Sequence, residues 1–200
     1  MCGIPRSGST VVWQILQTIF PDKKILKTHP NLWKMDGSII VSSIRDSFDI
    51  AASLLRVRLS RNKKINEVVD NDIEAILGMT RISFEKLKKL LIWFYTPVLR
   101  YEDFYIDYSI IYKTIEKYFD IVIPFEIQNK ISARFSLKEN KKRADMLDNF
   151  NQVDKDQIHG DHIGHVIPGY WKYYFPERYL QQVINTCAPI AKEWGYYENK

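Results

Sequence analysis

Short apolar runs alternate along this chain with longer stretches whose apolar residues recur every three or four positions. Val12, Ile15, Leu16, Ile19 and Phe20 fall at helical spacing directly after a small-residue loop, Gly3 to Thr10. Residues 24–27 form a short strand candidate. Residues 39–44 form a better one, apolar and β-branched as a buried parallel strand should be. A helix is predicted from Asp46, with Ile50, Ala51, Leu54 and Leu55 on one face, and two more over 62–77 and 83–95. Residues 96–101 read as a strand, 107–119 as a helix and 124–149 as mostly helical and charged. Residues 150–170 are polar and rich in Gly and His, hence loop, and Pro176 opens a last helix to about Trp194. This alternation predicts a three-layer α/β fold with a central, mainly parallel sheet, and one domain over residues 1–200. Ligands in such sheets sit beyond the carboxyl ends of the strands. Only Met1 and Cys2 precede the first loop, whereas a strand usually has about 5 residues. The expectation is a very short first strand, or a natural start some residues upstream.

Composition narrows the picture only a little. With 46% hydrophobic residues, 200 residues support a sizeable core without staples. A net charge of +5 is a modest excess that suits a multiply anionic small ligand and also weak nucleic-acid binding, so it carries little weight, and no nucleic-acid partner is expected. The two cysteines, Cys2 and Cys187, form no CxxC, zinc spacing or disulfide framework, which makes a reducing, cytoplasmic location the expectation. No apolar run approaches the roughly 20 residues of a membrane span, and the N-terminus does not resemble a signal peptide, so no membrane partner is expected.

The chemistry is concentrated at loops that follow strand candidates. Gly3-Ile4-Pro5-Arg6-Ser7-Gly8-Ser9-Thr10 has the glycine separation and terminal Thr of a P-loop, GxxxxGK[ST], but Ser9 stands at the lysine position. An anion cradle survives: glycine-permitted backbone, amide groups and a helix N-terminus. The lysine that reaches the β- and γ-phosphates is absent, which disfavours ATP or GTP hydrolysis.

From this loop onward the chain resembles the sulfotransferase family that uses PAPS (3′-phosphoadenosine 5′-phosphosulfate). Residues 5–10 match the family's 5′-phosphosulfate loop, P-[KR]-[SA]-G-[ST]-[ST], throughout. Lys27-Thr28-His29-Pro30 resembles its KTH-type segment. Arg45 with Ser53 eight residues on has the spacing that holds the 3′-phosphate in the family. Tyr101-Glu102-Asp103 resembles its Y-E-D segment, and Gly169-Tyr170-Trp171-Lys172 its G-x-W-K element. The resemblance implies PAPS as co-substrate, bound by Arg6, Ser7, Gly8, Ser9, Thr10, Arg45, Ser53, Tyr101, Gly169 and Trp171. It implies no metal, and a hydroxyl or amine on a small-molecule or glycan acceptor. It leaves the oligomeric state unspecified.

The residues themselves support catalytic roles. An imidazole titrating near neutrality suits removal of a hydroxyl proton, which makes His29 the candidate base. In an extended segment Lys27 and His29 point to the same side. Lys27 and Arg6 then stabilise charge on the transferring group and the leaving phosphate. Glu102 is the competing base. The family's R-K-G segment has no counterpart in residues 159–168, where His159, His162 and His165 instead form a weak metal-site pattern. Val11 stands where an adenine-stacking aromatic is often found, leaving Trp171 and Tyr101 as candidates. The alternatives are a small-molecule kinase or other nucleotide-dependent phosphotransferase, and a degenerate nucleotide-binding domain without turnover.

Overall fold

The computed structural model describes residues 1–30, 39–62, 68–160, 163 and 167–196. Its sheet has three parallel strands in the order β1 (Cys2–Gly3), β2 (Ser42–Ile44), β3 (Val98–Arg100). Cys2 is in register with Ser42, and Ser42 with Val98. The helices are α1 (Ser9–Ile19), α2 (Ser47–Asn62), α3 (Asp70–Trp93), α4 (Tyr101–Phe104), α5 (Ser109–Phe119), α6 (Phe125–Phe135), α7 (Leu137–Ala144) and α8 (Leu180–Glu193). Alternation along the central segment sends Val41 to one face and Ile40 and Ile44 to the other. On the first face Val41 and Leu99 pack with Val12, Ile15 and Leu16 of α1 and with α5 and α6. On the second, Ile44 meets Phe84, Leu87 and Leu90 of α3. The expected three-layer α/β architecture is therefore present.

Several element boundaries differ from expectation. Residues 24–27 form no strand; the chain beside β1 is held by one parallel bridge, Cys2 to Thr28. With β1 only two residues long, the ladder has nothing further to pair with. The ladder of β2 shrinks to Ser42–Ile44 for the same reason, although Ile40 and Val41 remain buried. The two helices expected over 62–77 and 83–95 are one helix of 24 residues, α3. It runs through Gly78 because a helical glycine costs only about 1 kcal/mol, while Ile73, Ile76, Leu77, Thr80, Phe84, Leu87 and Leu90 keep one buried stripe. Residues 63–67, within the first of those expected helices, lie outside the described residues. The last helix starts later than expected: Glu177–Tyr179 form a 3-10 turn ahead of α8. Among the described residues, no helix is long and apolar enough to cross a membrane.

Candidate functional site

The first loop joins β1 to the N-terminus of α1 and is shaped by close contacts. A Cβ on Gly3 would lie 2.6 Å from the Ser43 hydroxyl oxygen. Only glycine fits at that crossing without a shift of its neighbours. Ser7 is fully buried, and its hydroxyl bonds the Ile4 carbonyl (2.6 Å) and Ser43 (2.7 Å). Its side chain therefore braces the loop. Arg6 and Gly8 both have left-handed backbones, at φ 68 and 75. Gly8 caps α1, and its carbonyl accepts from the amides of Val11 and Val12. The amides ahead of Val11, those of Gly8, Ser9 and Thr10, have no carbonyl a turn back within the helix, so this end of α1 offers donors and a positive dipole end.

Two clefts meet at this loop, and Arg6, Gly8 and Thr10 line both. The first is walled by Arg45, Ser53, Tyr101, Tyr105 and Tyr108. Arg6 Nε donates to Ser53 Oγ at 2.8 Å, joining the loop to α2 across 47 residues of sequence. Asp46 caps α2, its carboxylate accepting from the Phe48 amide at 2.9 Å. One turn on, Asp49 meets Arg45 at 3.7 Å and also accepts from the Gly169 amide at 2.9 Å. Arg45, only 4% exposed, lies over the Tyr101 ring, 4.5 Å from its centroid. Tyr101 stacks in turn on Tyr105, with centroids 5.7 Å apart. Burial raises the Tyr101 hydroxyl above its usual range. It also pushes the Asp46 and Asp49 carboxyls each up to about 6, Arg45 opposing the shift.

Lys27 and His29 stand in the second cleft. Lys27 Nζ donates to Thr10 Oγ1 at 2.8 Å. Burial, and then the Arg6 charge, lower its ammonium to about 8. Arg6 is pulled to about 9, first by burial and then by Arg56 and Arg45. His29 Nδ1 lies 3.0 Å from the Gly3 carbonyl. A carbonyl only accepts, so Nδ1 carries the hydrogen and the neutral ring has its lone pair on Nε2. Leu54, Val57, Ile76 and Met79 form the apolar wall of this cleft.

The sequence-derived candidates distribute unevenly over this site. Arg6, Gly8, Thr10, Arg45, Ser53 and Tyr101 share the first cleft, and Arg6, Gly8, Ser9, Thr10, Lys27 and His29 the second. Gly169 and Trp171 line neither. Gly169 reaches the site through Asp49, and Trp171 stacks on Phe48 of α2, with centroids 4.5 Å apart. Glu102 also lines neither cleft, and its Oε1 accepts from the Asp46 amide at 2.9 Å. His162 and His165 lie outside the described residues.

Phe150 was not foreseen as a site residue, and His159 was singled out only as part of a weak metal-site pattern, yet both line the second cleft. They belong to a turn closed by a Val153–His159 bridge, and their rings stack at 4.9 Å. Asp156 holds the turn in place, pairing with Arg134 of α6 at 3.0 Å and with Arg143 of α7. Its sequence signal is Gly160, where a Cβ would fall 2.3 Å from the Asn149 carbonyl oxygen. Only glycine permits that approach.

No protein-family model and no curated protein matches this sequence. Solved structures do. A crystal structure of mouse sulfotransferase SULT7A1 complexed with PAP aligns over 98% of this chain and 87% of its own, with a TM-score of 0.61 at 17% identity. Retinol dehydratase in complex with androsterone and the inactive cofactor PAP aligns over 96% of this chain and 80% of its own, with a TM-score of 0.61 at 15% identity. The chain has the fold of the PAPS-dependent sulfotransferases.

Proposed function

We propose that this chain, acting as one domain, transfers a sulfuryl group from PAPS to a hydroxyl of a small-molecule acceptor. The observation that carries the reading is the loop at the N-terminus of α1, flanked by two clefts of different character. One offers Arg45, Ser53 and a tyrosine wall to a nucleotide; the other offers Lys27, His29 and an apolar wall to an acceptor. The similar structures hold PAP, which is the bisphosphate that PAPS leaves behind, and one also holds androsterone. Ser9 at the lysine position gives a phosphotransferase reading no support.

In this reading Arg45 and Ser53 hold the 3′-phosphate, Tyr101 offers its ring to the adenine, and the amides of Gly8, Ser9 and Thr10 hold the phosphosulfate. The acceptor oxygen attacks sulfur from the second cleft while His29 Nε2 takes its proton. The new bond joins that oxygen to sulfur. The bond from sulfur to the bridging oxygen of the 5′-phosphate breaks, and its electron pair leaves with the phosphate. Arg6 and Lys27 stabilise the charge that develops there. The apolar wall favours an acceptor with an apolar body over a glycan.

The test is bisphosphate release from PAPS across a panel of hydroxyl compounds, including 2-naphthol and steroid alcohols. His29→Ala is expected to lower turnover by roughly 10²–10⁴-fold, the usual contribution of a positioned base, while leaving bisphosphate affinity unchanged. Full turnover in His29→Ala together with loss in Glu102→Gln moves the base to Glu102.

A further inference from the structure

Leu54, Val57 and Arg58 stand at positions i, i+3 and i+4 of α2, a spacing that puts them on one helix face, and all three line the second cleft. Ala75, Ile76 and Met79 line it from α3. Arg58 follows by five residues Ser53, where Arg6 ties α2 to the loop. It therefore sits about 7.5 Å farther along the helix axis. Arg58 Nε donates to Asp72, one turn before Ile76 on α3. Asp72 is buried, while the Arg58 side chain is 49% exposed. Among the described residues, Nε is the one donor of Arg58 with a protein partner. Asp72 thus grips the guanidinium by one edge. The described residues that line this cleft include Arg6, Lys27 and Arg58 but no Asp or Glu.

Such a lining suits a neutral or anionic guest and disfavours an ammonium. A guanidinium held along its Nε edge keeps the edge formed by its two terminal nitrogens, whose fork matches a carboxylate. Asp72 offsets part of the charge, but it has already ordered the side chain, so a bound carboxylate has less freedom to remove. We infer that the acceptor is an amphipathic hydroxy acid. Its hydroxyl meets His29, its apolar body lies on Leu54, Val57, Ile76 and Met79, and its carboxylate meets Arg58. The inference rests on the transferase reading above and names the acceptor class for it.

Bisphosphate release from PAPS by the full chain, with matched acceptors, tests it. The pairs are 6-hydroxy-2-naphthoate against 2-naphthol, and 12-hydroxydodecanoate against its methyl ester. In at least one pair the acid is expected to have the higher kcat/KM by about tenfold or more, the scale of a charged hydrogen bond, with the difference in KM. Arg58→Gln, whose amide can still bond Asp72, should bring the ratio of acid to neutral acceptor close to one by raising KM for the acid. Arg58→Lys should fall between. Arg58→Gln leaves the Asp72 carboxylate buried without its cation. Should it fail to fold, Arg58→Gln combined with Asp72→Asn removes both charges and decides by the same ratio. An acid no better than its neutral counterpart in both pairs, or a preference that survives the loss of Arg58, overturns the inference. Turnover of 2-naphthol with no preference for acids overturns it alone and leaves the transferase reading standing. No bisphosphate release with any acceptor refutes that reading, and the acceptor class with it.

Discussion

Substituting Gly8 by Ala tests whether the anion loop and the Arg45 cleft are built as one unit. Gly8 has φ +75, and an added Cβ would lie 2.7 Å from a Tyr101 ring carbon and 2.9 Å from Phe104. The left-handed backbone alone costs an alanine about 1–2 kcal/mol. Overpacking against a fully buried ring adds about 1–3 kcal/mol. Their sum is a loss of about 2–5 kcal/mol. Gly169 supplies a control, since it has φ +85 with no atom within 4 Å of an added Cβ. Gly169→Ala should cost only the backbone contribution, about 1–2 kcal/mol. Gly78 is interior to α3 with open space around it, so Gly78→Ala should stabilise by about 0.5–1 kcal/mol. At about 2–4 °C per kcal/mol for a protein of this size, Tm should fall by roughly 4–20 °C for Gly8→Ala and 2–8 °C for Gly169→Ala, and rise by about 1–4 °C for Gly78→Ala. Urea unfolding gives the same order as free energies. Because Tyr101 lies under Arg45, Gly8→Ala should also weaken bisphosphate binding. A Gly8→Ala protein no less stable than Gly169→Ala would refute the described packing of the loop on Tyr101 and Phe104.

Other perturbations separate the two ends of the nucleotide. Arg45→Ala should weaken the bisphosphate by roughly 1.5–3 kcal/mol and AMP much less; equal losses in calorimetry would remove Arg45 from the 3′ end. Lys27 titrates near pH 8, and a bound polyanion favours its protonated form. Bisphosphate affinity should therefore fall as pH rises through about 8, and Lys27→Arg should move that fall upward; identical pH profiles would count against Lys27. Asp46 has its carboxyl raised from 3.8 to about 6 by burial, so the folded chain holds that proton more tightly than the unfolded one. Its contribution to stability is present below pH 3.8 and is lost as pH rises to about 6. Asp46→Asn keeps an oxygen for the Phe48 amide, and its Tm advantage over wild type should grow from pH 4 to pH 7; a constant difference would contradict the raised pKa.

What could be read from the sequence was mostly local. The loop of residues 3–10 and the strand-to-helix passage at Arg45 each lie within a dozen residues, where spacing and residue type specify geometry. The α/β class followed from the alternation of short apolar runs and helical stripes. The bond between Arg6 and Ser53 spans 47 residues and depends on how α2 packs, which no local pattern encodes. Ser7 matched the loop pattern, but Ser43 on the neighbouring strand draws its hydroxyl inward. The continuity of α3 was hidden because Gly78 reads as a break, while the energy that spans it comes from the buried stripe on either side. Phe150 and His159 enter the site on a turn that ion pairs from Asp156 to Arg134 and Arg143 help to hold, a tertiary contact with a single glycine as its sequence mark.

Calorimetric titration of the unmodified protein with adenosine 3′,5′-bisphosphate, AMP and ATP with magnesium tests the assignment of a PAPS site most directly. The predicted result is bisphosphate binding tighter than AMP by about tenfold or more, on the scale of the charged hydrogen bonds that Arg45 and its neighbours offer the 3′-phosphate, and tighter than ATP with magnesium. Equal affinities for bisphosphate and AMP, or a preference for ATP with magnesium, would contradict it.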